Sequence, residues 1–171
     1  MSTAYDRYLI ERFEGEVEGE EFFIRMSEFS SNGPERDKWS ILSQLETQTK
    51  ERIRKELLSL GIDVVESNMC VERGRSLAES FRHVPWIDFI DIFRKSLERF
   101  VADFEAAETM VPAKSRAREL LHYITEHERA LLEFSVREAE GRGATSLAAV
   151  TALLERPRQG FADKQKVWQA E

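Results

Sequence analysis

Three side chains in this 171-residue sequence could share one chemistry: Glu20, Glu46 and His127. Each interrupts the apolar face of a long helical segment drawn at about 100° per residue. Glu20 falls in the middle of the arc formed by Leu9, Phe13, Val17, Phe23 and Ile24. Glu46 and Thr49 fall inside the face of Trp39, Leu42, Leu45, Ile53, Leu57 and Leu60. His127 falls inside the face of Leu120, Ile124, Leu131 and Phe134. Glu16, one turn before Glu20, and Glu128, at the edge of its face, are peripheral candidates with Thr49. A carboxylate aimed into a core is costly unless something satisfies it. Two carboxylates and an imidazole, with no Lys or Arg on the inner faces nearby, call for a compensating proton or cation. One answer is a single Fe, Mn or Zn ion held by these O and N ligands. The other is no metal: one Glu protonated, the other bonded to His127 or Thr49, and water in the gap.

Long amphipathic segments must position these groups. The first covers about residues 4–30 and ends at Asn32-Gly33-Pro34, where Pro34 suits the first turn of the next helix. The second covers about 35–60 and stops at Gly61, a helix C-terminal signal. Their short connection predicts antiparallel neighbours. Residues 62–83 have weak apolar periodicity and read as a crossover, partly helical over about 65–81. The third segment begins at Pro85 and runs to about 108; no acid or imidazole interrupts its central stripe. The fourth covers about 113–140 and is closed by Gly141 and Gly143. A short helix over 146–156 ends at Pro157, and a polar tail covers 158–171. Strand signals are missing. The expectation is one all-α domain over residues 1–157, a four-helix bundle with a long crossover between helices two and three and a short fifth helix. Glu20, Glu46 and His127 each lie near the middle of a segment, and midpoints share a level in an antiparallel bundle.

By its helix lengths, its long connection and its inward acids, the chain resembles the ferritin-like superfamily over roughly residues 5–141. In the complete family site, helices one and three each give a Glu, and helices two and four each give Glu-x-x-His. Glu20 matches the helix-one acid. Glu46 matches the helix-two acid, with Thr49 at the His position. His127 matches the helix-four His, with Ile124 at the Glu position. Helix three has Phe93, Leu97 and Phe100 at the central level, so half of the ligand positions are kept. The resemblance implies redox or oxygen-activating chemistry at a bound metal, with Phe13, Phe93, Phe100 and Phe104 excluding water. The competing expectation is a metal-free, non-catalytic member serving as a dimeric binding or interaction module. Glu119-x-x-His122 matches the ligand motif literally, but His122 lies opposite Leu120 and Leu131 and reads as solvated.

Composition narrows the classes further. A charged fraction of 33% beside a hydrophobic fraction of 42% describes a soluble globular chain. The net charge of −7 disfavours nucleic acid and anionic membrane surfaces as partners. No apolar stretch approaches the roughly 20 residues that span a bilayer, and the polar start MSTAYDRYLIERFEG lacks the pattern of a signal peptide. The single cysteine, Cys70, allows no intrachain disulfide and reads as a packed small residue. A cytoplasmic location is therefore expected. Gly15 and Gly19 form a small-residue pair beside Tyr8, Phe22 and Met26, where another backbone could approach: the crossover or a second subunit. A homodimer is the expected assembly.

Overall fold

The structure is a computed structural model that describes residues 3–156. The tail expected over 158–171 lies outside the described residues. Six α-helices follow one another: α1 (Ala4–Phe29), α2 (Gly33–Ser59), α3 (Asn68–Phe81), α4 (Trp86–Ala107), α5 (Arg116–Ala139) and α6 (Ala148–Leu154). No strand occurs among the described residues. Their ends follow local chemistry. Thr3 and Asp6 close a capping box at the start of α1, and Asn32 caps α2 with Pro34 in its first turn. Gly61 and Gly141 take φ of 77° and 73° just past α2 and α5, a left-handed conformation that glycine adopts without strain.

Side-chain pairs fix the direction of each helix. Along α1 and α2, Ser27 Oγ donates to the Arg36 carbonyl at 3.3 Å near one end, and the Arg54 guanidinium lies over the Phe13 ring towards the other. These helices are antiparallel. Lys38 meets Glu138, Thr49 meets His127 and Arg116 meets Glu56, so α2 and α5 are antiparallel as well. Trp86 packs on Phe134, and Arg129 pairs with Glu105 at 2.6 Å, so α4 also opposes α5. The four long helices therefore run up, down, down, up. Because α2 and α4 point the same way, the chain must return along the length of the molecule between them. Helix α3 makes that return and lies along α1. Helix α6 covers the seam between α5 and α2, where the Gln48 side chain donates to the Leu153 carbonyl at 3.1 Å.

The apolar core has two halves. One is built around Phe22, Trp39, Phe89 and Phe134, and the other around Leu9, Phe13, Ile53 and Ile124. Glu16, Glu46, Thr49 and His127 lie in the layer between them, all buried. At the end of the first half, Glu138 accepts from Lys38, Ser146 and the Trp86 indole, which satisfies the inward acid near the end of α5.

The buried face of α1 is not a straight stripe. It passes from Leu9, Phe13 and Val17 to Phe22, Phe23 and Met26, while Ile24 is exposed. The cause is that α2 runs along the whole of α1 while α3 packs on a second side of it around Glu18 and Glu21. Glu20, central on an averaged wheel, consequently sits at the edge of the local face.

Candidate metal centre

Glu16 comes from α1, Glu46 and Thr49 from α2, and His127 and Glu128 from α5. The carboxylates of Glu16 and Glu46 and a ring nitrogen of His127 lie within 4.8 Å of one another. Their exposures are 5%, 6% and 1%, so water does not solvate them freely. His127 Nε2 is 3.2 Å from Glu46 Oε1, and its Nδ1 is 2.8 Å from Thr49 Oγ1 and 3.5 Å from Glu16 Oε2. Glu16 Oε2 is buried without a hydrogen-bond partner. Glu128, half-buried, stands beside the cluster.

Glu20, expected at the centre of the site, is not part of this cluster. Its carboxylate is held by Lys50 and Thr47 of α2. Lys50 is itself buried and pairs with Glu66 at 2.8 Å as well, so the expectation that no Lys lies near the inner faces also fails. A buried ammonium needs counter-charge, and Glu20 supplies it. Glu16, one turn earlier, takes the place that the wheel gave to Glu20. Two signals in the sequence pointed this way. The bulky Phe22 and Met26 mark where the face has turned, and Lys50, one turn beyond Glu46, needs an acid.

Gly19 explains how Glu46 fits. A Cβ at Gly19 would lie 2.6 Å from Glu46 Oε2 and 2.9 Å from its Cδ. The absent side chain is the space the carboxylate fills. Gly15 has open space around its Cβ position instead. Gly19 thus faces the acid, and Gly15, which is exposed, borders open space. The close backbone approach occurs at Gly74 of α3, whose Cβ would lie 2.5 Å from the Glu18 carbonyl oxygen. A Gly19→Ala variant should keep its fold, because the Glu46 side chain can swing, but lose Glu46 from the cluster. The check is a change in the His127 ring resonances by NMR, with little change in melting temperature.

Electrostatics follow from burial and neighbours. Burial, and then the negative charge of Glu46, hold the Glu16 carboxyl well above the usual range. Burial pushes Glu128 up to about 7, with Glu46 adding to it while His127 and Arg12 oppose. For His127, burial works against the imidazolium, but Glu46 and Glu128 outweigh it and its pKa is raised. Without a cation, the layer thus holds extra protons near neutrality.

A cavity of about 350 Å³ opens between α1 and α4 and reaches Glu16, Glu46 and Glu128. Phe93, Phe100 and Phe104 line it as expected, whereas Phe13 does not: it belongs to the core beneath the Arg54 guanidinium. His122 is exposed, its Nδ1 3.3 Å from Glu108 Oε1 and apart from the cluster. Cys70 is buried, with Arg73 Nη2 3.3 Å from its sulfur.

Two carboxylates and one imidazole suit a divalent transition ion, and three protein ligands leave positions open for water or substrate. The orphaned Glu16 oxygen fits such an ion. Comparison with family models, curated proteins and solved structures finds no match to this chain. No helix among the described residues is long and apolar enough to cross a membrane.

Proposed function

We propose that the chain is a ferritin-like metalloprotein that holds a single Fe, Mn or Zn ion at Glu16, Glu46 and His127, with Glu128 alongside. The observation that carries this reading is Glu16 Oε2, a buried acceptor with no donor, aimed into a cluster with two other ligand types. The up-down-down-up order with one long crossover supports the ferritin-like assignment. A bound iron or manganese ion would supply redox chemistry. The chain's own groups have separate tasks. Thr49 engages His127 Nδ1 and fixes the ring, which leaves Nε2 as the ligand nitrogen. Glu16 and Glu46 neutralise the ion, and the phenylalanines of α4 keep bulk water away from it.

The second reading, a metal-free and dimeric binding module, is favoured by one contact. The Glu46–His127 hydrogen bond, with Glu16 protonated, balances the charges without an ion. Metal analysis of untagged protein separates the two. Near-stoichiometric Fe, Mn or Zn is expected, lost in Glu16→Ala and in Glu46→Ala but kept in Glu20→Ala. Metal-free protein from metal-supplemented cells, with no uptake on reconstitution, would sink the first reading. Loss of metal in Glu20→Ala alone would place the site elsewhere.

A further inference from the structure

The cavity beside the cluster has a definite construction. One stripe of α1 walls it: Arg12, Gly15, Glu16, Gly19, Phe22 and Phe23. Gly15 leaves this wall bare, and at Gly19 the Glu46 carboxylate takes the place of a side chain. Phe22 stacks on Phe89 and Tyr8 meets Phe104, which places Gly15 opposite Ser96 and Leu97 in the antiparallel register. On α4, Phe89 and Phe93 are stacked with centroids 5.2 Å apart, and Phe100 and Phe104 at 6.3 Å. The bare part of α1 therefore faces the break between two stacked ring pairs. The rim carries exposed Leu77, Ile92 and Phe100, so the way in is apolar. The volume of about 350 Å³ falls within the roughly 300–1,000 Å³ of small-molecule sites.

The charged groups are confined to the inner end, and the rest of the lining is mainly aromatic and aliphatic. Glu46 is bonded to His127, and Arg12 faces Glu16 and Glu128 while its guanidinium lies 4.7 Å from the Phe104 ring centroid. A charged ligand would give up its hydration against the phenylalanine and leucine side chains that make most of the wall. A flat apolar ring would meet Phe93, Leu97 and Phe100 along this wall and bury its surface on them.

We propose that this cavity is the substrate pocket of the Glu16/Glu46/His127 centre and takes an uncharged aromatic molecule, admitted between α1 and α4. The role as substrate pocket rests on the metal reading; the binding rests on the cavity alone.

Fluorescence titration with N-phenyl-1-naphthylamine, and with its sulfonated analogue 8-anilino-1-naphthalenesulfonate, tests the assignment. The neutral probe should bind in the micromolar range, and the sulfonate about tenfold more weakly or worse. Gly15→Leu and Ser96→Leu fill the cavity from opposite walls. Each should weaken the neutral probe by about tenfold or more. Gly15→Leu should do so without lowering the melting temperature, because leucine is a better helix former than glycine. No binding by the parent protein, equal affinity for the sulfonate, or undiminished binding in both variants would overturn the proposal. Titrations are run on chelated and on metal-supplemented protein, with metal content measured in parallel. Binding by protein that takes up no metal removes the substrate role and leaves the pocket. Metal-loaded protein that ignores the neutral probe removes the pocket and leaves the centre.

Discussion

In the presence of a chelator, the protein is expected to melt at a lower temperature at about pH 8 than at about pH 5.5. Glu16 and Glu128 both have folded-state pKa values above those of an unfolded carboxyl. Between the unfolded and folded values, the native state binds more protons than the unfolded chain, so stability falls as pH rises. For Glu128 the window runs from 4.5 to about 7. Glu16 extends the trend in the same direction. The raised pKa of His127 adds to it, because an imidazolium favoured in the fold is lost as pH climbs through that value. Carboxylates with lowered pKa values, among them Glu66, Glu108, Glu126 and Glu138, act oppositely, but they titrate below 4.5. The layer between the two core halves therefore governs the range above pH 5. At about 1.4 kcal/mol per pKa unit, and less where solvent screens the charge, the loss is on the order of 2 kcal/mol. Calorimetric melting of chelated protein across the range measures it. A flat or rising melting temperature would show that Glu16 and Glu128 are ionised in the fold. Added metal should reverse the slope, because an ion displaces the protons and binds more tightly as pH rises.

Gly74→Ala is expected to destabilise the fold by about 1–3 kcal/mol, although alanine is the better helix former. The buried residues of α3 are Cys70, Gly74 and Ala78, a stripe of small side chains one turn apart. It allows α3 to settle on α1, and Arg73–Glu18 and Arg75–Glu21 pairs flank the contact. An added Cβ at Gly74 would lie 2.5 Å from the Glu18 carbonyl oxygen and 3.1 Å from Glu21 Cβ. A backbone carbonyl inside a helix cannot swing aside as a side chain can, so α3 must shift as a unit. Gly15→Ala makes the same chemical change in open space and should add up to about 1 kcal/mol. Opposite signs for the two variants in urea denaturation are the expected result. Equal stabilisation would mean that α3 is not seated on α1 in this way.

The helix pattern was legible in the sequence because apolar period, caps and glycine stops all agree. The return segment over 62–83 is legible too, but its close contact with α1 is not. Gly74 stands in a region of weak periodicity, and nothing local marks what a small residue will touch. For the site, Glu46 and His127 were found because α2 and α5 present nearly straight faces. A wheel favours Glu20 over Glu16 because it assumes one partner direction along the whole helix, and α1 has two. The neighbour that decides the matter, Lys50, belongs to another helix and enters only when α1 and α2 are paired. The place of Phe13 is hidden for the same reason. Its neighbours Arg12 and Gly15 line the cavity at the same level of α1, but Phe13 faces α2, under the Arg54 guanidinium.

The polar layer also has a consequence for assembly order. Glu16 and Glu46 belong to the first helical hairpin, and His127 to the second. The Glu46–His127 hydrogen bond joins positions 81 residues apart in the chain. Each hairpin can form from local contacts, but this layer exists only after the two have docked. An ion bound there would act as a non-covalent cross-link closing a long loop, where the entropy removed from the unfolded chain is large. Chelation would then slacken the joint between the hairpins before it disturbed either one, and amide exchange would rise first along the α2–α5 seam.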